Sequence, residues 1–175
     1  MTRSLRISRG RASGLLLMLL GIWGGLIPFV GPYFGYAYTP DKHWAYTSGR
    51  LWLSIVPGAV ALVGGFLVLV AGRAAAVAGG FLAALGGAWF VIGQYVATVA
   101  FTSIKPGSPV VASGASFNAA TMKFLEGLGF FYGLGVLIVF IAALAMGQAV
   151  SAGKVAAAEE ALPADAFEET APYPA

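Results

Sequence analysis

The sequence contains no cysteine and a single histidine, His43, among its 175 residues. Without thiols, the chain has no disulfide framework, no thiolate metal site, no iron–sulfur cluster and no covalently attached c-type haem. A single histidine also excludes bis-histidine haem ligation and a multi-histidine metal site within this chain. We therefore expect no cofactor and no bound metal.

Charged side chains are also scarce, at 10% of the residues, whereas hydrophobic side chains make up 59%. A soluble domain carries about a quarter charged residues, so this chain cannot solvate its own surface as a soluble protein. The few Lys and Arg residues are dispersed around apolar segments and form no continuous patch, which argues against nucleic acid binding. The composition indicates an integral membrane protein surrounded by membrane lipids.

Four long apolar stretches lie between the charged residues, and each reaches the roughly 20 residues that a helix needs to cross a bilayer. A transmembrane barrel would instead show alternating segments of about 10 residues. The sequence therefore predicts an all-α integral membrane protein, a bundle of four transmembrane helices with a disordered acidic C-terminal tail. The predicted helices cover about 14–36, 51–72, 74–102 and 117–149.

The charge distribution divides the chain into three predicted parts. Residues 1–13 form a basic cytoplasmic N-terminus, 14–149 the transmembrane domain, and 150–175 a disordered cytoplasmic tail with too little apolar surface to fold alone. The net charge is +8 over 1–154 and −5 over 155–175. One interpretation is that the tail only keeps this end of the chain solvated. The other is that it contacts the basic N-terminus or a basic partner on the same side of the membrane.

The orientation follows from the Lys and Arg residues of the short connections, which favour the cytoplasmic side. With the N-terminus inside, six of these residues lie in the cytoplasm and four outside, and four arginines precede the first helix. The first apolar stretch is too long for the roughly 7–15 residues of a cleaved signal sequence, so we expect it to be retained. The sequence predicts a multi-pass protein of the cell membrane with both termini in the cytoplasm.

The 25 glycines need a packing explanation, because glycine weakens a helix and offers no side chain to lipid. Several recur at four-residue spacing, the small-xxx-small pattern that lets two helix backbones approach closely. We expect them to pack the bundle internally, or in part to form a groove for a partner protein or a second copy. The candidate packing positions are Gly21, Gly25, Gly31, Gly35, Gly79, Gly87, Gly129 and Gly133.

Polar side chains inside the predicted helices are costly in hydrocarbon and usually face a bundle interior or a cavity. Gln94 and Thr98 lie four residues apart on the third helix, and Glu126 lies on the small-residue stripe of the fourth. All three belong to the outer half of the bundle, so we expect Glu126 to approach Gln94, Thr98 or Arg50. Glu126 either pairs with Lys123 at the membrane surface or lines an outward-facing cavity for a cation, a proton or a lipid headgroup.

Three further patterns concern local structure. Pro28 and Pro57 predict kinks in the outer halves of the first two helices, because proline removes a backbone donor. Ser116 predicts the N-cap of the fourth helix. Aromatic residues cluster at the outer boundary, as in the interfacial belt of membrane proteins.

No residue pattern indicates catalysis. Asp41 and Lys42 adjoin His43 in a short outer loop without a nucleophile elbow, and no phosphate-binding glycine loop occurs. We expect a non-enzymatic membrane protein, an accessory or structural subunit of a membrane complex or a homo-oligomer. The alternative is a small transport or lipid-binding protein with an outward-facing polar cavity. A filled bundle with an exposed small-residue groove would favour the first hypothesis, and convergent polar groups in a pocket would favour the second.

Overall fold

The computed structural model of the protein describes residues 2–34, 36–38, 42, 44–70, 72–101, 104–105, 107, 109–111 and 118–160. Within this part of the chain, four helical segments are long and apolar enough to cross a membrane. In chain order they are span 1 (Gly10–Tyr33), span 2 (Ser48–Val70), span 3 (Arg73–Ala100) and span 4 (Ala120–Ala157). The predicted all-helical bundle of four apolar helices is thus confirmed at the level of the fold.

Three of the four spans are composite. Span 1 is formed by α1 (Thr2–Val30) and a 3-10 turn (Gly31–Phe34). Span 2 is formed by α2 (Ser48–Arg50), a π turn (Leu51–Ile55) and α3 (Val56–Val70). Span 3 is α4 (Arg73–Ala100), and span 4 is formed by α5 (Ala119–Gly127), a π turn (Leu128–Tyr132) and α6 (Gly133–Glu160).

The spans run antiparallel, so the bundle has two ends that differ in their connections. The terminal end holds the start of span 1, the end of span 4 and the connection between α3 and α4, which is only residues 71–72. The loop end holds the two longer connections. There β1 (Tyr36–Tyr38) pairs antiparallel with β2 (Pro109–Val111) in a short ribbon that the sequence patterns did not predict. The ribbon links the segment after span 1 to the segment before span 4.

Helices α1 and α6 both extend beyond their predicted limits at the terminal end. Helix α1 begins at Thr2 rather than near 14, and α6 continues to Glu160 rather than ending near 149. Residues 150–160, predicted to belong to the tail, instead continue α6, because they are rich in alanine, the strongest helix former, and contain no proline. Residues 161–175 lie outside the described residues.

The start of span 4 also differs from the prediction. The N-cap of α5 is Asn118, whose side-chain oxygen accepts a hydrogen bond from the Thr121 backbone N–H at 2.8 Å. Asparagine is among the preferred N-cap residues, because its side chain satisfies a backbone donor of the first turn. Ser116, the predicted cap, lies outside the described residues.

The four spans form a ring in which each contacts its neighbour in sequence. Helix α1 packs against α3, α3 against α4, and α4 against α6, while α1 and α6 close the ring through a much less extensive contact, which we call the seam. Large side chains fill the described interior between these helices. The fully buried ones are Leu17, Pro57, Phe90, Glu126, Phe130 and Ile138.

Reciprocal glycine contacts bring the backbones of neighbouring spans together. A Cβ atom on Gly21 would lie 2.6 Å from the carbonyl oxygen of Gly58, and one on Gly58 would lie 2.7 Å from that of Gly21. Since neither helix tolerates a side chain at such a distance, the α1–α3 crossing requires glycine on both sides. The same reciprocal relation joins Gly14 with Gly65, Gly64 with Gly79, and Gly87 with Gly135.

Three of the predicted packing glycines, Gly21, Gly79 and Gly87, lie at these reciprocal crossings. Gly25 lies beside one of them. A Cβ on Gly58 would come within 2.9 Å of the Gly25 nitrogen, yet a Cβ on Gly25 itself would meet no atom within 4 Å. Equal spacing in sequence therefore does not mean equal packing.

The remaining predicted glycines have other surroundings. Gly31 is buried in the 3-10 turn that ends span 1, and Gly35 lies outside the described residues. Gly129 and Gly133 are half-buried and lie at the seam rather than at a tight crossing. A packing position that the spacing did not reveal is Gly24, where a Cβ would lie 2.5 Å from Cζ of Phe90.

The two predicted kinks take different forms. Pro28 is buried within α1. Pro57 follows a π turn, in which the Val56 backbone N–H donates to the carbonyl of Leu51, five residues earlier. The π turn shifts the hydrogen-bond register just before a residue that has no N–H to donate. A second π turn lies at the same end of span 4, where the Gly133 N–H donates to the carbonyl of Leu128.

Candidate functional site

Charged side chains enter the bundle at its loop end. Arg50 is 6% exposed and Glu126 is 0% exposed, and they are the charged residues among the buried side chains of the described chain. Each lies just ahead of a π turn, Arg50 before Leu51–Ile55 and Glu126 before Leu128–Tyr132. Interruptions of this kind are frequent at functional sites, and buried charges are costly unless their surroundings compensate them. These two residues therefore form the centre of the loop-end candidate site.

Arg50 holds the segment that precedes it. Its Nη1 donates hydrogen bonds to the carbonyl oxygens of Ala45 at 2.8 Å and Lys42 at 3.4 Å. Its guanidinium carbon lies 5.5 Å from the centroid of the Phe29 ring, within the range of a cation–π contact. The Arg50 backbone N–H also donates to Oγ1 of Thr47 at 3.1 Å, which caps α2. One buried side chain thus connects the loop to span 1.

Trp44 shows how closely this loop is held. Its φ of 53° lies in the left-handed region that residues other than glycine rarely adopt. The Trp44 ring stacks on Phe29, with 5.7 Å between centroids and 29° between planes. Such a backbone conformation persists only where the surroundings enforce it. Phe29 contacts both Trp44 and Arg50, so a single aromatic ring of α1 organises the loop.

The cavity beside Arg50 is small. Its volume is about 20 Å³, which is enough for about one water molecule. Span 4 reaches it through Phe130 and Phe131, which follow Glu126 in the chain. The main lining residues are Pro28, Arg50, Leu53, Ser54, Phe130 and Phe131. The described cavity beside Arg50 therefore has no room for a solute much larger than water.

The predicted polar cluster is only partly assembled. Arg50 and Glu126 both reach the interior at the loop end. Gln94 is half-buried, and its Nε2 makes no hydrogen bond within the described chain. Thr98 is exposed, and its hydroxyl donates to the carbonyl of Tyr95 on its own helix at 2.7 Å. Thr98 shares a helix face with Gly87, but it lies near the end of α4 and is exposed.

A larger open cavity of about 470 Å³ lies at the terminal end. Two arginines from different spans line it, Arg11 of span 1 and Arg73 of span 3, together with Gln148 of span 4. The guanidinium of Arg73 lies against Gly153, where an added Cβ would occupy its position. Nothing in the sequence pattern joins Arg11 with Arg73, because their proximity depends on how the spans pack.

A third concave surface follows the seam between α1 and α6. This groove has a volume of about 460 Å³ and an apolar lining. Trp23 crosses it, with Nε1 donating to the carbonyl of Gly129 at 3.3 Å. The groove is lined by Leu20, Trp23, Leu125, Leu128, Gly129, Gly133, Leu134 and Leu137. The predicted Gly129/Gly133 stripe thus opens to the outside of the bundle.

Comparisons with known proteins identify no relative of this chain. No protein-family model matches it, and neither the curated proteins nor the solved structures include a significant match. Within the described part of the chain, no three His, Asp or Glu side chains lie close enough together to hold a metal ion. The three concave surfaces and their lining residues are therefore the features of the described chain that bear on its function.

Proposed function

We propose that the protein is a non-enzymatic multi-pass membrane protein that acts by association, as an accessory or structural subunit of a membrane complex or as a homo-oligomer. One observation supports this proposal most directly. The described interior of the bundle is filled by large side chains, while an apolar groove with glycines in its lining is open at the seam. The surface available for specific contacts is on the outside of the bundle.

The seam groove suits another helix. Gly129 adds no side chain to the groove, so a neighbouring backbone can come close there, whereas Leu128 of the same span occupies the space beside Gly133. Inside lipid, apolar burial drives little association, and close van der Waals packing along such small-residue surfaces contributes most. Exposed Leu128 and Leu137 border these glycines and provide the surrounding contacts. We assign the groove to an apolar transmembrane helix of a partner subunit or of a second copy.

The transport or lipid-binding alternative rests on the buried charges of the loop end. Arg50 and Glu126 are the kind of residues that line ion and solute pathways in membrane proteins. The cavity beside Arg50, however, has room for about one water molecule. A transported solute would need a conformation with a wider opening, so association is the better-supported function.

The test is native mass measurement and co-purification after gentle detergent extraction at native expression. We expect wild-type protein to carry stoichiometric partners or further copies of itself. Leu137→Trp fills the groove and should release them, whereas Val136→Trp, on an exposed neighbouring position outside the groove lining, should not. A lone wild-type monomer with retained lipid would contradict the proposal and favour lipid binding.

A further inference from the structure

We propose that the open cavity at the terminal end binds the headgroup of an anionic phospholipid. This inference goes beyond the proposed association and uses a different surface. Arg11 and Arg73 come from spans 1 and 3 and line the same cavity of about 470 Å³. Two guanidinium groups that converge on one open space form a site for a phosphate, because their planar donors match its oxygens.

The two charged side chains that line this cavity, Arg11 and Arg73, are both basic. Both arginines are exposed, and Glu126 is the one acidic residue whose side chain the structure describes. Glu126 lies at the loop end, on the far side of the bundle. The two guanidinium groups therefore face no carboxylate among the described side chains, which favours an anion as the occupant of the cavity.

Arg73 reaches from span 3 to span 4. Its guanidinium lies against Gly153 of α6, where any side chain would displace it. This contact places the positive charge of span 3 beside span 4, on a side chain that is still exposed. A phosphate that binds both Arg11 and Arg73 would thus connect span 1 to spans 3 and 4.

The rest of the lining matches the other parts of a phospholipid. The cavity lies where α3 ends and α4 begins, at the level of the span ends, where headgroups lie. Val68 and Ala145 are buried and line its inner wall, so apolar surface continues from the arginines towards the hydrocarbon. Basic pockets between transmembrane helices bind anionic headgroups in this way.

Gln148 adds a polar group that a headgroup can use. Its amide lines the cavity, and its Oε1 is buried without accepting a hydrogen bond from the described residues. A buried acceptor gains free energy when a donor reaches it. The glycerol hydroxyls of phosphatidylglycerol are such donors, and free phosphate does not carry the apolar part that the inner wall accommodates. We therefore assign the cavity to a phospholipid rather than to a soluble phosphate.

The experiment is native mass spectrometry of the full-length protein released from nanodiscs with equal amounts of phosphatidylglycerol and phosphatidylcholine. We expect preferential retention of phosphatidylglycerol. Arg11→Gln and Arg73→Gln should each lower this retention about fivefold, which is the contribution of one basic residue near an anionic membrane surface. Lys42→Gln and Lys123→Gln remove exposed lysines at the loop end and should leave retention unchanged.

Gly153→Ala tests the position of the Arg73 guanidinium without changing the charge of the protein. It keeps both arginines but places a methyl group where the Arg73 guanidinium lies, so retention of phosphatidylglycerol should fall although the net charge is unchanged. Gln148→Leu should lower retention less than the loss of either arginine. Equal retention of the two lipids by wild-type protein would overturn the proposal without relying on any variant.

Two other occupants are tested in the same nanodiscs. Displacement of phosphatidylglycerol by inorganic phosphate, but not by chloride at equal ionic strength, would show that the site recognises free phosphate. Carbodiimide treatment of Arg73→Lys would reveal an acidic occupant from the chain itself, since Glu159 and Glu160 end α6 and the other acidic residues of 155–175 follow it in sequence. A cross-link between position 73 and this segment in the presence of phosphatidylglycerol would overturn the proposal.

Discussion

The two ends of the bundle use arginine in opposite ways. At the loop end, Arg50 is buried, bonded to loop carbonyls and stacked on Phe29, beside a cavity of about 20 Å³. At the terminal end, Arg11 and Arg73 are exposed around an open cavity of about 470 Å³. Arginine thus stabilises the fold at the loop end, where the chain covers its side chain. At the terminal end the arginine side chains are not covered and remain available to a ligand.

The lengths of the connections explain this difference. At the loop end, residues 42–45 supply the carbonyls that bind Arg50, and Trp44 stacks on the Phe29 ring that Arg50 contacts. At the terminal end, only residues 71–72 join α3 to α4, and so short a connection cannot cover a guanidinium. A buried charge must be fully compensated by its surroundings, whereas an exposed one is solvated at little cost.

The first prediction concerns which side of the membrane each end occupies, and its expected effect is all-or-none. The chain has no cysteine, so Tyr46→Cys at the loop end and Ala157→Cys at the terminal end each create a single thiol. With both termini in the cytoplasm, a membrane-impermeant maleimide should label intact cells carrying Tyr46→Cys only. Ala157→Cys should react after permeabilisation, and the wild type should not react.

The opposite labelling pattern would reverse the proposed orientation. It would also place the arginine-lined cavity on the outer leaflet, where anionic lipid is scarcer. The basic residues of the connections would then be a poor guide to topology for this chain, despite the four arginines within residues 1–13.

The second prediction compares the two kinds of arginine by stability. Arg50→Gln should lower the free energy of unfolding by about 3–5 kcal/mol, because it removes a buried charge and the bonds that hold the loop. Arg73→Gln should change it by less than about 0.5 kcal/mol, as expected for an exposed position. Thermal unfolding in one detergent, followed by tryptophan fluorescence, measures both.

A double variant sharpens this comparison. If the buried charges of Arg50 and Glu126 compensate each other, Arg50→Met combined with Glu126→Leu should be less destabilised than the sum of the single changes. Strictly additive effects would mean that each charge is compensated separately by its own surroundings. Lys123→Gln, an exposed change three residues from Glu126, is the control and should be close to neutral.

The third and smallest effect concerns two glycines one turn apart on α1. Gly21→Ala should lower stability by about 1–3 kcal/mol, because its methyl group would lie 2.6 Å from the Gly58 carbonyl oxygen. Gly25→Ala meets no atom within 4 Å and should be neutral or stabilising, since alanine favours the helix. Equal destabilisation by both would show that span 1 packs in a different register.

Features that depend on local composition were predictable. Continuous apolar length predicted the four spans, because a hydrocarbon layer imposes a minimum length on any crossing helix. Small-residue spacing predicted packing positions, and Gly21, Gly79 and Gly87 among them lie at reciprocal crossings in the structure. The spacing did not distinguish these from Gly25, because the pattern repeats each turn whereas the crossing helix touches only some of the turns.

Other features required knowledge of how helices pack. Helical phase put Thr98 on the same face of α4 as Gly87, yet Thr98 is exposed, because phase alone does not say which positions of a face the side chains of other spans cover. The π turn before Pro57 replaces a simple kink because α3 must still pack on α1 and α4. The cavity at the terminal end escaped prediction for the same reason, since Arg11 and Arg73 are far apart in sequence.

The amino-acid sequence alone therefore determined the class of fold, the number of spans and the scarcity of catalytic groups, because these depend on residue content and local period. The tertiary structure decided which glycines are essential at crossings, which arginine is buried and which ones line an open cavity. These outcomes depend on distances between residues of different spans. The lengths of the connections, and the close approach that glycine allows, set those distances when the four helices assemble.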